Sequence, residues 1–430
     1  MRKAFVFITL LFFFAIASAQ KTIAVKCGQL FDTRSGQLRS NQVILIKGNL
    51  VENIVAAADF KQKTDSVIDL SAYYVLPGLI DCHTHVLLQG DITSEDYDVQ
   101  ILKESIPYRT LRASRSAKLA LNYGFTTIRD LETEGAMYAD TDVKKAINNQ
   151  VIPGPRMFVA TRSINSAGHY PVSPKDYNWE LDWPKGVQEI NGADEARKAV
   201  REQLAHGADW IKIYADRGYY RLPDGSYRSR PNFTTEEIMA IGDETTRSGK
   251  KLAAHAVTRD GIIAAINAGA ATIEHGFGMD DECVQLMVKK NIYWCPTIYV
   301  CDYVAEGRAK LGSPMNKYFM ETMPAVFKKA MNAGIKIAYG TDIGGYSWDE
   351  PQAKDFEYLV KYGMTNVQAI QSATTVAAQL LDMEGKIGEL KPGAFADIIA
   401  MKKDPLKDIK ALENVQWVMK DGVVYKNADR

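Results

Sequence analysis

Leu79-Ile80-Asp81-Cys82-His83-Thr84-His85 begins as a strand-like apolar run and ends on two histidines one pleat apart. Side chains on a strand alternate faces, so His83 and His85 are expected to point the same way, together with Asp81. Seven further strand-like runs follow, at 125–128, 157–160, 210–214, 251–255, 271–274, 292–295 and 335–339, with helical stretches between most of them. Thr234 and Glu237 form a capping box with Phe233 and Ile238 placed as a hydrophobic staple, Thr365 and Gln368 open another helix, and Gly269 closes the one starting near Arg259. Eight strands interleaved with helices over 77–387 predict an α/β fold, a (β/α)8 TIM barrel with insertions. A doubly wound open sheet is the alternative, but no Gly-rich phosphate loop follows the early strands, and the barrel is favoured.

The flanks differ in texture. Residues 20–76 and 388–430 are strand-rich, and Asp421-Gly422 between two β-branched runs is a hairpin signal. Both chain ends are therefore expected to build one small β-sandwich domain. Residues 1–19 read as a cleaved secretory signal peptide: Arg2 and Lys3, an apolar run, then Ala17-Ser18-Ala19. An uncleaved anchor is the alternative, although the run is short for a membrane span. The expected location is secreted or periplasmic, with no stable membrane association after cleavage. Lys+Arg and Asp+Glu both number 52, so there is no basic field for nucleic acid, and a small-molecule substrate is the expected partner. A homo-oligomer stays open. Five cysteines are too few and scattered for a disulfide scaffold, although Cys295 and Cys301 could pair in an oxidising compartment.

A lone H-x-H is a weak motif; its company strengthens it. Of six histidines, His83, His85, His255 and His275 fall at the carboxyl ends of expected strands, as does Asp342. That rim is where barrel active sites form. Neutral imidazoles with carboxylate oxygens suit zinc, with manganese, iron or cobalt as rivals. Lys212 is the odd member: Ile211 and Ile213 should pack outward, turning Lys212, Trp210 and Tyr214 inward, where a bare ammonium is costly. It must be neutral, paired or chemically altered; reaching up to solvent or a carboxylate is the plain alternative.

At this point the chain resembles the amidohydrolase superfamily, in its imidazolonepropionase-like and dipeptidase-like (prolidase-like) branch. The resemblance is carried by 76–85, Gly124-Phe125-Thr126-Thr127-Ile128-Arg129-Asp130, 152–156, 208–213, Glu274-His275-Gly276, Gly340-Thr341-Asp342 and 391–397. It implies two divalent metal ions: His83, His85 and Asp342 on one, His255 and His275 on the other, and Lys212 bridging both as N6-carboxylysine. It also implies a metal-bridging hydroxide attacking an amide-type C–N bond, with Asp342 as the catalytic base and acid.

On the substrate side, His169 lies in Ala167-Gly168-His169 where relatives carry Gly-Gly-His, and a loop residue with no role is the alternative. After Lys212 the relatives' Ser-Gly-Gly is replaced by Ala215-Asp216-Arg217-Gly218-Tyr219-Tyr220-Arg221. Arg217 or Arg221 could bind a substrate carboxylate and Tyr219 or Tyr220 hydrogen-bond it; a solvated rim is an equal alternative. Loops 163–192 and 216–233, rich in aromatic residues and proline, should crowd the mouth into a semi-enclosed pocket. His206 and Glu274 read as structural, Glu274 facing away from His275. The leading activity is hydrolysis of a dipeptide or N-acyl amino acid. Ring opening of an imidazolone, cyclic imide or lactone, and phosphotriester hydrolysis, are the alternatives on the same metals; a non-catalytic binding barrel is disfavoured because no ligand is missing.

Overall fold

The computed structural model describes residues 20–428 except 93, 171–177, 179 and 181–182. The signal peptide expected at 1–19, and part of the loop 163–192, lie outside the described residues. Among those described, no helix is long and apolar enough to cross a membrane.

The middle of the chain is α/β. Strands Leu79–Thr84, Phe125–Asp130 and Arg156–Val159 pair in parallel. A second parallel set holds Ile164–Ser166, Trp210–Tyr214, Lys251–Thr258, Thr272–Gly278 and Tyr293–Cys295, with the short strand Gln188–Ile190 on its edge. Asp209 N donates to Val159 O at 2.8 Å, joining the two sets. Bridges Trp294↔Ile337 and Thr84↔Ile343 carry the order back to the first strand.

The run 335–339, expected as a strand, makes only a single bridge, at Ile337. Its backbone bonds go to Trp294 on one side, Cys82 on the other, and to Ala330 and Ser372 outside the strands, too few on either side to build a ladder.

Alternation sorts the strand side chains into two layers. Ile211 and Ile213 pack with Ala196, Ala199, Val200 and Ile241, all from the surrounding helices. Each isoleucine so buried contributes roughly 1.5–3 kcal/mol. Trp210 faces the other way, into a separate cluster with Ile80, Cys82, Ala253, Cys295 and Ala338. Both capping boxes form, at Thr234–Glu237 and Thr365–Gln368.

The two chain ends share one seven-stranded sheet. Ser66–Pro77 lies at its middle, parallel to Thr22–Asp32 and antiparallel to Ile398–Met401. The hairpin Trp417–Lys420/Val423–Asn427 turns on Asp421 and Gly422, at φ 50° and 76°. A two-residue hairpin turn needs positive φ at both positions, which Asp-Gly supplies at low cost. Arg156 ties this sheet to the α/β part through Asp397 and Asp421, both at 2.7 Å.

All five cysteines are free and buried. The open pairing of Cys295 with Cys301 is therefore corrected: Cys295 sits in the Trp210 cluster, whereas Cys301 packs from helix Ile298–Lys310 into the other core.

Candidate metal centre

Four strands and the segment after the run 335–339 bring six polar groups to one cavity of about 590 Å³: His83, His85, Lys212, His255, His275 and Asp342 all line it. His85 Nε2 is 3.0 Å from Asp342 Oδ1, and His83 Nε2 is 3.5 Å from the same oxygen. Lys212 Nζ lies 3.4 Å from His83 Nε2. The His83 ring is 5.1 Å from that of His275, which is 4.5 Å from that of His255. His83, His275 and Asp342 offer ligand atoms within 4.8 Å of one another.

A residue-by-residue fit to metal is visible in the nitrogens facing away from this cage. His83 Nδ1 is 2.8 Å from Glu274 Oε2, His85 Nδ1 is 3.4 Å from Glu132 O, and His275 Nδ1 is 2.8 Å from Thr297 Oγ1. His255 is held instead at Nε2, by the Tyr219 hydroxyl at 2.9 Å, which leaves Nδ1 for a cation. Metal-binding histidines are characteristically fixed this way, one nitrogen tied to the protein and the other presented.

Burial pushes His83 down to about 4 and His275 to about 3, and His255 well below its usual value, with neighbouring cationic groups adding to the effect. All three are thus neutral, as ligands must be. Burial would also lower His85, but its bond to Asp342 outweighs this and raises it to about 9. Burial disfavours the Asp342 anion, yet His83 and His85 hold it well below the carboxylate range. Lys212 is 1% exposed and has no carboxylate within ion-pair distance among the described residues; burial lowers its pKa, against the pull of Glu274, Glu132 and Asp342.

Local backbone explains how these groups converge. A bulge between Asp81 and Thr84 breaks alternation, so Asp81 does not share a face with His83 and His85 as expected. Its carboxylate is instead taken up by His83 N, Thr341 N and Oγ1, and Gln352 Nε2. His275 and Asp342 adopt left-handed φ of 70° and 58°. Such strain in non-glycine residues is characteristic of functional sites. At His275 it lets consecutive residues reach the same region. Glu274, expected to be structural, holds His83 with one oxygen and Arg129 Nη2 with the other, both at 2.8 Å.

The segment after Lys212 is a hairpin, Asp216–Arg221 against Tyr227–Pro231, rather than a loop. Alternation sends Arg217 and Tyr219 to the cavity; Tyr220 faces out beneath Arg230, and Arg221 lies exposed at the tip, bonded to Gly225 O. His169 is exposed, bonded to Ser166 Oγ, and outside the cavity lining. The cavity adds residues that no motif announced: Asp91, Tyr97, Glu134, Tyr170 and Arg308. Glu134 accepts from Tyr97 and Tyr170 at 2.6 and 2.8 Å, and Glu132 from Tyr214 at 2.5 Å. Of these, only Glu134 had a signal in the sequence, the paired carboxylates of Glu132-Thr133-Glu134 shortly after the expected strand 125–128.

Comparison with known proteins agrees with this geometry. A profile described as "Amidohydrolase family" matches residues 74–425. Ochratoxinase of Aspergillus niger is 30% identical over 422 residues, covering 91% of this chain and 84% of that protein. Imidazolonepropionase of Fusobacterium nucleatum is 24% identical, covering 77% of each. A crystal structure of a Xaa-Pro dipeptidase with methionine bound in its active site superposes with TM-score 0.84 at 33% identity, covering 95% of this chain and all of that one. The chain belongs to the amidohydrolase family. Within it, the chain falls in the imidazolonepropionase- and prolidase-like branch, and it is a hydrolase of carbon–nitrogen bonds. The structural relatives imply a TIM-barrel-like α/β fold.

Proposed function

We propose that the protein hydrolyses the amide bond of a dipeptide or N-acyl amino acid at a two-metal centre. The observation that carries this is the cage itself: four imidazoles, each fixed through one nitrogen, around Asp342 and Lys212. The returning order of hydrogen-bonded strands supports a closed (β/α)8 barrel with these groups on its carboxyl rim, and the single shared sheet supports one small β-domain built from both chain ends.

His83, His85 and Asp342 would hold one cation, and His255 and His275 the other; zinc suits this donor set. Such cations acidify water and polarise a scissile carbonyl. Asp342 is the anion poised to accept a proton from the attacking water and return it to the departing nitrogen. The water oxygen bonds the carbonyl carbon, the C–N bond breaks, and the amine leaves protonated. Lys212 fits carboxylation: burial favours its neutral amine, which could attack carbon dioxide, form an N–C bond and release a proton, and the resulting carbamate would supply an anionic two-oxygen ligand to the centre. The signal-peptide pattern read in the sequence at 1–19 supports an activity outside the cytoplasm, secreted or periplasmic.

The test is elemental analysis of the purified chain with a substrate panel of dipeptides, N-acyl amino acids, lactones and phosphotriesters. About two equivalents of metal with turnover of the amides is the expected result. Turnover confined to lactones or phosphotriesters, or none after metal reconstitution, overturns the reading.

A further inference from the structure

Asn316 stands in the cavity wall, 5% exposed, and its Oδ1 has no hydrogen-bond partner among the described residues. No other side chain of that wall carries an enclosed nitrogen or oxygen in this state. The wall's tyrosines are bonded to Glu132, Glu134 or His255, and its Arg308 to Ile92 O and Asp91 O. Buried polar groups are nearly always paired, so an orphaned acceptor in the wall of a ligand cavity points to a donor brought by the ligand.

Cys301 fixes which end of the Asn316 amide is free. Its thiol gives its one hydrogen to Asn316 O at 3.8 Å, which leaves the sulfur to accept from Asn316 Nδ2 at 3.4 Å. Oδ1 is therefore the unpaired atom, an acceptor only. These contacts join helix Ile298–Lys310 to the first turn of helix Met315–Ala333, so the oxygen is placed before any ligand arrives.

Its surroundings narrow the ligand further. Val300, Val304, Leu311 and Met315 make this part of the wall apolar. The Phe277 ring lies 5.7 Å from that of His275 in the cage and 5.8 Å from that of Phe319, one turn along the helix from Asn316. A ligand side chain leading from the cage to Asn316 thus crosses aliphatic and aromatic surface before it meets the oxygen. A serine-like hydroxyl is too short to use that surface, and an ammonium would be buried at high cost against one neutral acceptor. An apolar ring tipped by a single O–H or N–H, a phenol or an indole, satisfies both.

We propose that Asn316 is a specificity-determining residue that selects amides carrying a donor-tipped aromatic side chain. This deepens the amide-hydrolase reading and rests on it for turnover, but binding tests it separately. Asn316 takes part in no bond change; it holds the far end of the side chain while the C–N bond is cut at the cage.

The experiment uses metal-loaded enzyme. L-Tyrosine, O-methyl-L-tyrosine and L-phenylalanine are the calorimetric probes. The substrates are glycyl-L-tyrosine and L-tyrosylglycine with their phenylalanine counterparts, and N-acetyl-L-tryptophan with its 1-methylindole derivative. Wild type should bind and turn over the donor-bearing member of each pair at least about tenfold better, because the analogue leaves a buried oxygen unpaired. In Asn316→Leu that preference should vanish through KM, with the phenylalanine compounds gaining rather than losing, an effect that general damage to the fold does not produce. Metal content and melting temperature should stay at wild-type values, and Asn316→Ala serves in place of Asn316→Leu should the latter not fold. Equal treatment of the paired compounds by wild type, or a preference that survives in these variants, overturns the assignment. Preferential binding without turnover of any substrate would refute the amide-hydrolase reading and leave the selector standing; turnover without preference would do the reverse.

Discussion

Glu274 Oε2 and His83 Nδ1 meet at 2.8 Å, with both side chains shut off from solvent. The contact fixes the imidazole so that Nε2 is the nitrogen offered to the cage, and Arg129 balances the carboxylate from behind. Replacing Glu274 by Gln keeps the shape but removes the charge that makes His83 a stronger donor. Metal affinity should fall about 10–100-fold. A chelator-competition titration reads this, and wild-type affinity in the variant would remove the orienting role.

Asp342 is the carboxylate that both His83 and His85 face. Asp342→Asn retains one ligand oxygen but accepts no proton. Turnover should drop at least about a hundredfold, the lower scale of general acid–base catalysis, with most metal still bound. Full activity with full metal would show that the proton goes elsewhere.

Lys212 offers a test independent of substrate. Metal-free enzyme should regain activity faster when bicarbonate is supplied, and Lys212→Ala should lose most bound metal and recover part of its activity with added acetate or propionate. Mass spectrometry of the intact protein or crystallographic density at Nζ checks the modification directly. Reconstitution indifferent to bicarbonate, with unmodified lysine and full activity, would contradict carboxylation.

Much of this centre was legible because strand ends are legible. β-Branched and apolar runs marked where most strands lie, which put His83 and His85 at a strand end; His255 and His275 stand within the longer strands Lys251–Thr258 and Thr272–Gly278, and Asp342 follows a run that forms no ladder. The inward turn of Lys212 followed from Ile211 and Ile213 on either side, as their packing bears out. What failed was the assumption of unbroken alternation. The bulge after Asp81 and the left-handed backbone at His275 are set by tertiary pairing, and no local propensity announces them. Arg217 and Tyr219 separate from Tyr220 and Arg221 only because residues 216–231 fold as a hairpin, a pairing hidden by the irregular sequence Leu222-Pro223-Asp224-Gly225-Ser226 at its tip.

Arg34 and Glu389 join distant parts of the chain through two bonds, Nε–Oε2 at 2.6 Å and Nη2–Oε1 at 3.0 Å. Burial pushes the Glu389 carboxyl up, but Arg34 and Lys391 outweigh it and hold the pKa below its ordinary value. A depressed folded-state pKa contributes stability above the unfolded-state pKa and loses it as pH falls through the folded one. Melting temperature should therefore fall less steeply below about pH 5 in Glu389→Gln than in wild type. Parallel acid limbs in the two proteins would show that the pair contributes nothing there.

Strand Ser66–Pro77 finds one of its partners in Ile398–Met401. During synthesis that neighbour emerges only after the whole α/β middle of the chain, so the small sheet waits, half-edged, until then. Contacts so far apart in sequence slow folding. The sheet is thereby a late seal, closed only once the strand that completes it has been made.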